Sequence, residues 1–308
     1  MHLSAQKGFI LAFLVTLFLF AVVVECAPMK YQAKKRKGQN PDEDPMKYFH
    51  EAGYGDVLGH YDRRYFTGSA ATYDAKADTL HHMIRAYLTT FRELNLETWI
   101  AHGTLIGWWW NSKLLPWDWD LDTQVSGSTM AKLRESHNMT FHNYTDMADD
   151  GTIIFREYLL DVNPFSTEGH KGDGFNVIDA RWIDIRNGLY IDITALREVE
   201  PEIKPGIFSC KNRHDYKTNE LWPMRNTFFE GVPALIPNSY EAILKSEYSP
   251  RVMTNTFHEG HQWNPGKKEW IPAGNRKVNH RAHVPRSLQS DSDEKRTGGL
   301  KNLARIFF

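Results

Sequence analysis

The chain has 308 residues, and its 37 Lys and Arg against 38 Asp and Glu leave a formal charge of −1. That balance excludes a nucleic-acid binder that works by neutralising phosphates in bulk. Hydrophobic residues at 41 % and aromatic residues at 13 % suffice for a buried core in one large domain or two small ones.

Lys7 precedes an uncharged apolar run over 8–24, followed by Val24-Glu25-Cys26. Residues 1–27 read as a signal peptide, with a retained signal anchor as the alternative. The run is short for a membrane span, and the basic residues after it (Lys30, Lys34, Lys35, Arg36, Lys37) disfavour retention with that side in the lumen. A chain entering the secretory pathway is therefore expected, in the lumen of the ER or Golgi or secreted. With Cys26 in the signal region, Cys210 stands alone and no disulfide is available.

Residues 28–72 lack periodicity and read as a linker or stalk, partly ordered over 54–66. Over 73–96 apolar residues recur at helical spacing (Ala77, Leu80, Ile84, Tyr87, Leu88, Phe91, Leu94), predicting a helix against a sheet. A strand over 98–101, a helix over 105–111, a strand over 120–125 and a helix over 128–137 follow.

The stretch 99–125, WIAHGTLIGWWWNSKLLPWDWDLDTQV, carries the chemistry. On an extended strand, Asp118, Asp120 and Asp122 share one face while Trp117, Trp119 and Leu121 take the other. A row of like charges calls for a cation, and all-oxygen ligands suit magnesium or manganese better than zinc. Gly103-Thr104, between a strand and a helix start, is a place for phosphate oxygens on backbone N–H groups. His102 is a further phosphate donor or a satisfied core histidine.

Asn138-Met139-Thr140 and Asn143-Tyr144-Thr145 are glycosylation sequons, which behind a signal peptide mark 138–145 as surface. Strands are expected over 153–155, 175–184 and 189–194, with Asn187-Gly188 as a hairpin turn. On the second arm Tyr190, Asp192 and Thr194 face away from Leu189, Ile191 and Ile193, so Asp192 can meet the first acidic row. Asp184 on the first arm competes for that role, and Arg181 and Arg186 are phosphate binders or solvated surface. A hairpin over 228–236 and a helix over 238–248 close the pattern. His258 and His261, in FHEGHQWN, have a zinc-like spacing without two further ligands in view. Beyond 285 the Ser, Asp, Lys and Gly content reads as a disordered tail.

AHGTLIGWWWNSKLLPWDWDLDTQV resembles the signature of the LicD/fukutin family, in its fungal mannosylphosphate-transfer branch. DARWIDIRNGLYIDITAL at 179–196 resembles the block that supplies a third carboxylate, and PMRNTFFEGVPALIPNSYEAIL within 221–248 resembles the closing hairpin and helix. The resemblance covers about residues 75–265 within an expected catalytic domain over 73–284, with a tail over 285–308. It implies an α+β fold, a DNA polymerase β-type nucleotidyltransferase mixed sheet with packed helices. It implies Asp120 and Asp122 as metal ligands, Asp192 as a third ligand or the base, and Gly103 and Thr104 as holders of donor phosphates. Asp118, His102, Arg181 and Asp184 are supports.

The implied reaction is metal-dependent transfer of a phosphosugar, with mannose phosphate from GDP-mannose favoured, to a glycan hydroxyl. Two other readings stand beside it: an Asp-x-Asp glycosyltransferase that leaves no phosphate in its product, and a non-catalytic glycan-binding or accessory protein.

Overall fold

Thr72 caps the helix Tyr73–Glu93 (α1) by accepting from the Ala75 N–H at 3.3 Å, and the helical spacing of its apolar residues buries one face. Leu80, Met83, Ile84, Tyr87, Leu88 and Phe91 on that face are at most 4 % exposed. They pack on one side of a curled mixed sheet, so the fold is α+β. The computed structural model describes residues 49–53, 55–148, 150–169 and 175–274. The expected signal segment and tail lie outside the described residues, and among the described residues no helix is long and apolar enough to cross a membrane.

The sheet contains β1 (Thr98–Ile100), β2 (Leu121–Ser126), β3 (Thr140–Met147), β4 (Ile153–Val162), β5 (Ala180–Asp184), β6 (Tyr190–Glu198), β7 (Ile207–Ser209) and β8 (Asp215–Lys217). Its order is β1-β2-β6-β5-β4-β3, with β7 paired to β6 and to β8. Strands β2 and β6 run parallel, whereas β1–β2, β6–β5, β5–β4 and β4–β3 are antiparallel. Helix α2 (His102–Asn111) joins β1 to β2, and α3 (Gly127–Lys132) follows β2. A short α4 (Thr218–Leu221), the hairpin β9 (Arg225–Phe229) and β10 (Val232–Ile236), α5 (Tyr240–Tyr248) and a meander complete the chain. The meander is β11 (Phe257–His258), β12 (His261–Asn264) and β13 (Glu269–Pro272).

Register assigns the two faces of the sheet. Leu121 pairs with Ile191 and Ile191 with Trp182, a row that joins the α1 core, where Trp182 meets the Tyr87 ring at 5.9 Å. One residue along, Asp122 pairs with Asp192, Asp192 with Arg181, and Arg181 with Asp161. The second row faces away from α1, because successive side chains of a strand point to opposite faces.

That second face is covered in part by residues expected to be linker. Phe49 bridges to Ile178 and Tyr61 to Leu189, Tyr65 packs on Leu159, Ile183 and Tyr190, and Arg64 pairs with Asp161 at 2.7 Å. Residues 49–53 and 55–66 thus pack on the sheet, an order expected only over 54–66. The stretch 138–145 also differs from expectation. It enters β3, where Thr140 is buried and the Asn138 amide oxygen accepts from the Val162 N–H at 2.9 Å, while Asn143 is exposed.

The Asn187-Gly188 turn forms the hairpin between β5 and β6. Gly188 has φ +88°, and a Cβ there would lie 2.7 Å from the Asp62 carbonyl oxygen and 3.1 Å from the Phe66 nitrogen. Both the left-handed backbone and the close approach of 62–66 require glycine. Gly188→Ala is expected to cost about 1–3 kcal/mol in chemical denaturation.

His142 on β3 is buried against Trp182 at 5.0 Å. The Thr140 hydroxyl donates to the His137 carbonyl at 2.7 Å, so at 2.8 Å it is the His142 Nε2–H that donates to Thr140. Burial, then the nearby His137, pushes the His142 pKa down to about 4. The unfolded chain takes up this proton near pH 6.5 and the folded one only near 4. The stability contribution is therefore complete above about 6.5 and declines by about 3 kcal/mol as pH falls toward 4. Urea titrations from pH 7 to 4 should show that slope, and His142→Gln should lose it.

Candidate functional site

The site forms where the polar face of the sheet meets the first turn of α2. Asp122 and Asp192 lie level on adjacent parallel strands, and the Thr104 hydroxyl accepts from the Asp122 N–H at 2.8 Å. This bond ties the helix start to the acidic strand. Gly103 and Thr104 belong to α2, which begins at His102, three residues before the expected start. Ala101 at the cap offers no side-chain hydrogen bond to the first-turn N–H groups. They form a helix terminus beside the carboxylates, suited to anions.

Asp118 and Asp120 precede β2 in an irregular turn, so strand alternation does not place them. The turn still brings both to the site. The Asp118 carboxylate lies 3.5 Å from the place a Gly103 Cβ would take, and Asp120 lies 3.4 Å from His60 Nδ1. Lys76 of α1 fixes the turn, donating to the carbonyls of Pro116 at 3.0 Å and Asp118 at 2.6 Å.

The electrostatics mark the acids as a group. Burial, then Asp120, pushes the Asp122 carboxyl well above the usual range, with Glu51 and Asp192 adding and His102 opposing. Burial and Asp120 do the same to Asp118, against Lys76. Burial also raises Asp192, opposed by Arg181, whose Nε donates to Asp192 Oδ1 at 2.7 Å. Arg181 is held over the Tyr190 ring at 3.7 Å and the Phe49 ring at 4.8 Å, and reaches the His50 carbonyl. Burial opposes protonation of His60, but Asp120, then Asp192 and Asp56, outweigh it and raise the pKa.

Asp184 is not part of this group. It sits on the opposite face of β5, fully buried, and accepts from the Arg186 backbone N–H at 2.9 Å and its guanidinium at 2.7 Å. Its work is to close the hairpin. His102 has its own partners. Trp99 Nε1–H donates to Gln124 Oε1 at 3.0 Å, and Gln124 Nε2 lies 3.2 Å from His102 Nε2. His102 Nδ1–H then donates to Glu247 Oε2 at 2.9 Å, and Tyr216 donates to the other Glu247 oxygen at 2.6 Å. Burial opposes protonation of His102, and Glu247 overcomes it to raise the pKa to about 9.

Four of these residues carried no local signal in the sequence. Glu51, His60, Lys76 and Glu247 come from the segment read as linker, the first turns of α1, and α5. Each acts on a residue more than 30 positions away, beyond any pattern of spacing.

Asp120, Asp122 and Asp192 offer oxygen donors only, a set for magnesium or manganese. Two observations support the fit. Among the described residues no hydrogen bond reaches the Asp122 carboxylate, and the buried His60 Nδ1 has no hydrogen-bond partner, only the 3.4 Å approach of Asp120. The acids stand apart, however. Among the described residues, the group of three ligands whose atoms lie within 4.8 Å of one another is His81, His82 and Asp146. That group is already neutralised: Arg85 holds both Asp146 oxygens, and Glu230 takes His81 at 2.7 Å. It fastens α1 to β3 and to the β9–β10 turn. Cys210 is buried, and burial raises its thiol to about 11, which removes it as a nucleophile.

Residues 95–239 match the model of the family described as LicD/FKTN/FKRP, nucleotidyltransferase domain. Two Saccharomyces cerevisiae proteins are similar to the chain. Mannosyltransferase regulator 4 is 34 % identical over 156 residues, covering 49 % of this chain and 13 % of that protein. Mannosyltransferase regulator 14 is 34 % identical over 164 residues, covering 49 % of this chain and 16 % of that protein. The chain thus spans a small part of the length of the curated relatives it matches.

Proposed function

From a chain whose residues 95–239 match the model of the LicD/FKTN/FKRP family, we propose a cation-dependent phosphotransferase of nucleotidyltransferase-like fold that acts on glycans in the secretory pathway. The donor we favour is GDP-mannose and the group moved is mannose phosphate, the reading that agrees with two yeast relatives named mannosyltransferase regulators. The observation that carries it is the pairing of Asp122 with Asp192 directly beside the first turn of α2, joined through Thr104.

In this reading the N–H groups of Gly103 and Thr104 take donor phosphate oxygens. Asp120, Asp122 and Asp192 are the residues that would hold magnesium or manganese, whose charge would neutralise the diphosphate. Arg181 keeps Asp192 ionised and oriented, and Lys76 fixes the turn that presents Asp118 and Asp120. The acceptor hydroxyl attacks the phosphorus bonded to mannose, the bond to the bridging oxygen breaks, GMP departs, and the hydroxyl proton passes to a carboxylate or to solvent.

The word regulator in both relatives' names favours one second reading, an accessory protein that binds glycan without turnover. The test uses the purified chain with manganese, a mannan-type acceptor and GDP-mannose labelled at the β-phosphorus. Label in the glycan with GMP released supports phosphosugar transfer. Label left in GDP with mannose on the glycan identifies a plain glycosyltransferase. No turnover with GDP- or CDP-linked donors, together with retained glycan binding, supports the accessory role.

A further inference from the structure

Beside the acidic turn stands a wall of rings that the phosphate chemistry does not use. His258 and His261, spaced like zinc ligands in the sequence, face each other across the β11–β12 turn. Both rings lie on Trp117, with centroids at 4.9 Å and 5.5 Å. Tyr73, at the start of α1 and 51 % exposed, lies parallel to His261 with centroids 6.3 Å apart. Lys76 sits over the Tyr73 ring at 5.4 Å and bonds the backbone of the 116–118 turn, so the wall and that turn are joined. Glu259 stands at the tip between the two histidines, exposed, in the turn that joins β11 to β12.

We propose that Tyr73, Trp117, His258, Glu259 and His261 form the subsite for the sugar ring of the acceptor glycan, an inference that rests on the transfer reading for the word acceptor but not for the binding itself. A pyranose presents C–H faces that stack on aromatic rings and hydroxyls that require donors and acceptors. The wall supplies both. His261 Nδ1–H donates to the Glu259 carbonyl at 2.8 Å, which leaves Nε2 to accept from a sugar hydroxyl. Tyr73 adds a phenol on an exposed ring. Tyr73, His258, Glu259 and His261 lie outside residues 95–239, so this wall is built mostly from parts of the chain beyond the family match.

The test is binding of a mannose tetrasaccharide to the purified chain without donor or metal, followed by tryptophan fluorescence and saturation-transfer NMR. Tyr73→Ala and His261→Ala are exposed or half-exposed changes, and circular dichroism checks their fold. Each should weaken binding about tenfold and, where transfer occurs, raise the acceptor KM by about the same factor with kcat and donor KM unchanged. Asp122→Asn should bind the saccharide as the parent does. Equal affinity in parent and both ring variants overturns the proposal, as does absence of parent binding at tens of millimolar. Binding lost in the ring variants, with no label ever transferred, keeps the subsite and rejects the transferase.

Discussion

Asp122→Asn is expected to abolish phosphosugar transfer, by about a thousandfold or more, while melting no lower than the parent. The two halves of this result have one cause. The carboxylate is half-buried beside Asp120 and Asp192, and its pKa is raised well above the ordinary range in the folded state. A carboxyl whose folded pKa exceeds its unfolded value costs stability at neutral pH, and replacing it with a neutral amide of the same shape removes that cost. The same replacement removes the anionic oxygens on which cation binding and charge stabilisation would depend in the proposed reaction. The Thr104 bond goes to the Asp122 backbone, so the helix and strand remain tied in the variant. Turnover assays beside calorimetry at pH 7 check both. A fall in melting temperature with activity kept would make Asp122 structural.

Arg181→Leu should have the larger effect on folding. The guanidinium is buried between Phe49 and Tyr190, donates to Asp192, and lies level with Asp161 on the neighbouring strand. Removing it strands Asp192 as a buried anion, which costs about 3–5 kcal/mol. Manganese should then raise the melting temperature of the variant more than that of the parent, because a cation can take over the neutralisation of Asp192. Urea titrations with and without manganese measure both effects.

Much of this site was legible in the sequence because it is written locally. The Asn187-Gly188 turn and the alternation of Tyr190, Asp192 and Thr194 against Leu189, Ile191 and Ile193 set the hairpin and its polar face. The apolar spacing of α1 set the helix that covers the other face. What stayed hidden was of two kinds. Gly103-Thr104 reads as a loop because glycine and threonine are weak helix formers, yet the terminus of α2 is where they are tolerated. Asp118 and Asp120 follow strand alternation in the sequence but sit in a turn, where Lys76 binds the carbonyls that a strand would have used. The second kind is distance. Nothing near His60 indicates Asp120, and nothing near Glu247 indicates His102. The short strands of the meander lack periodicity because their rings pack on Trp110 and Trp117 rather than on the main sheet.

The parallel pairing of β2 with β6 also sets a timetable. Asp122 and Asp192 are 70 positions apart in sequence, with three other strands of the sheet between them, and a parallel ladder cannot close through a tight turn. During synthesis the helix terminus and Asp122 emerge long before their partner, and the pair exists only after β6 has left the ribosome and found its register. A slip of one residue would send Asp192 to the α1 side of the sheet and leave Asp122 alone. The row of Asp122, Asp192 and Arg181 is therefore complete only after that long-range pairing has formed.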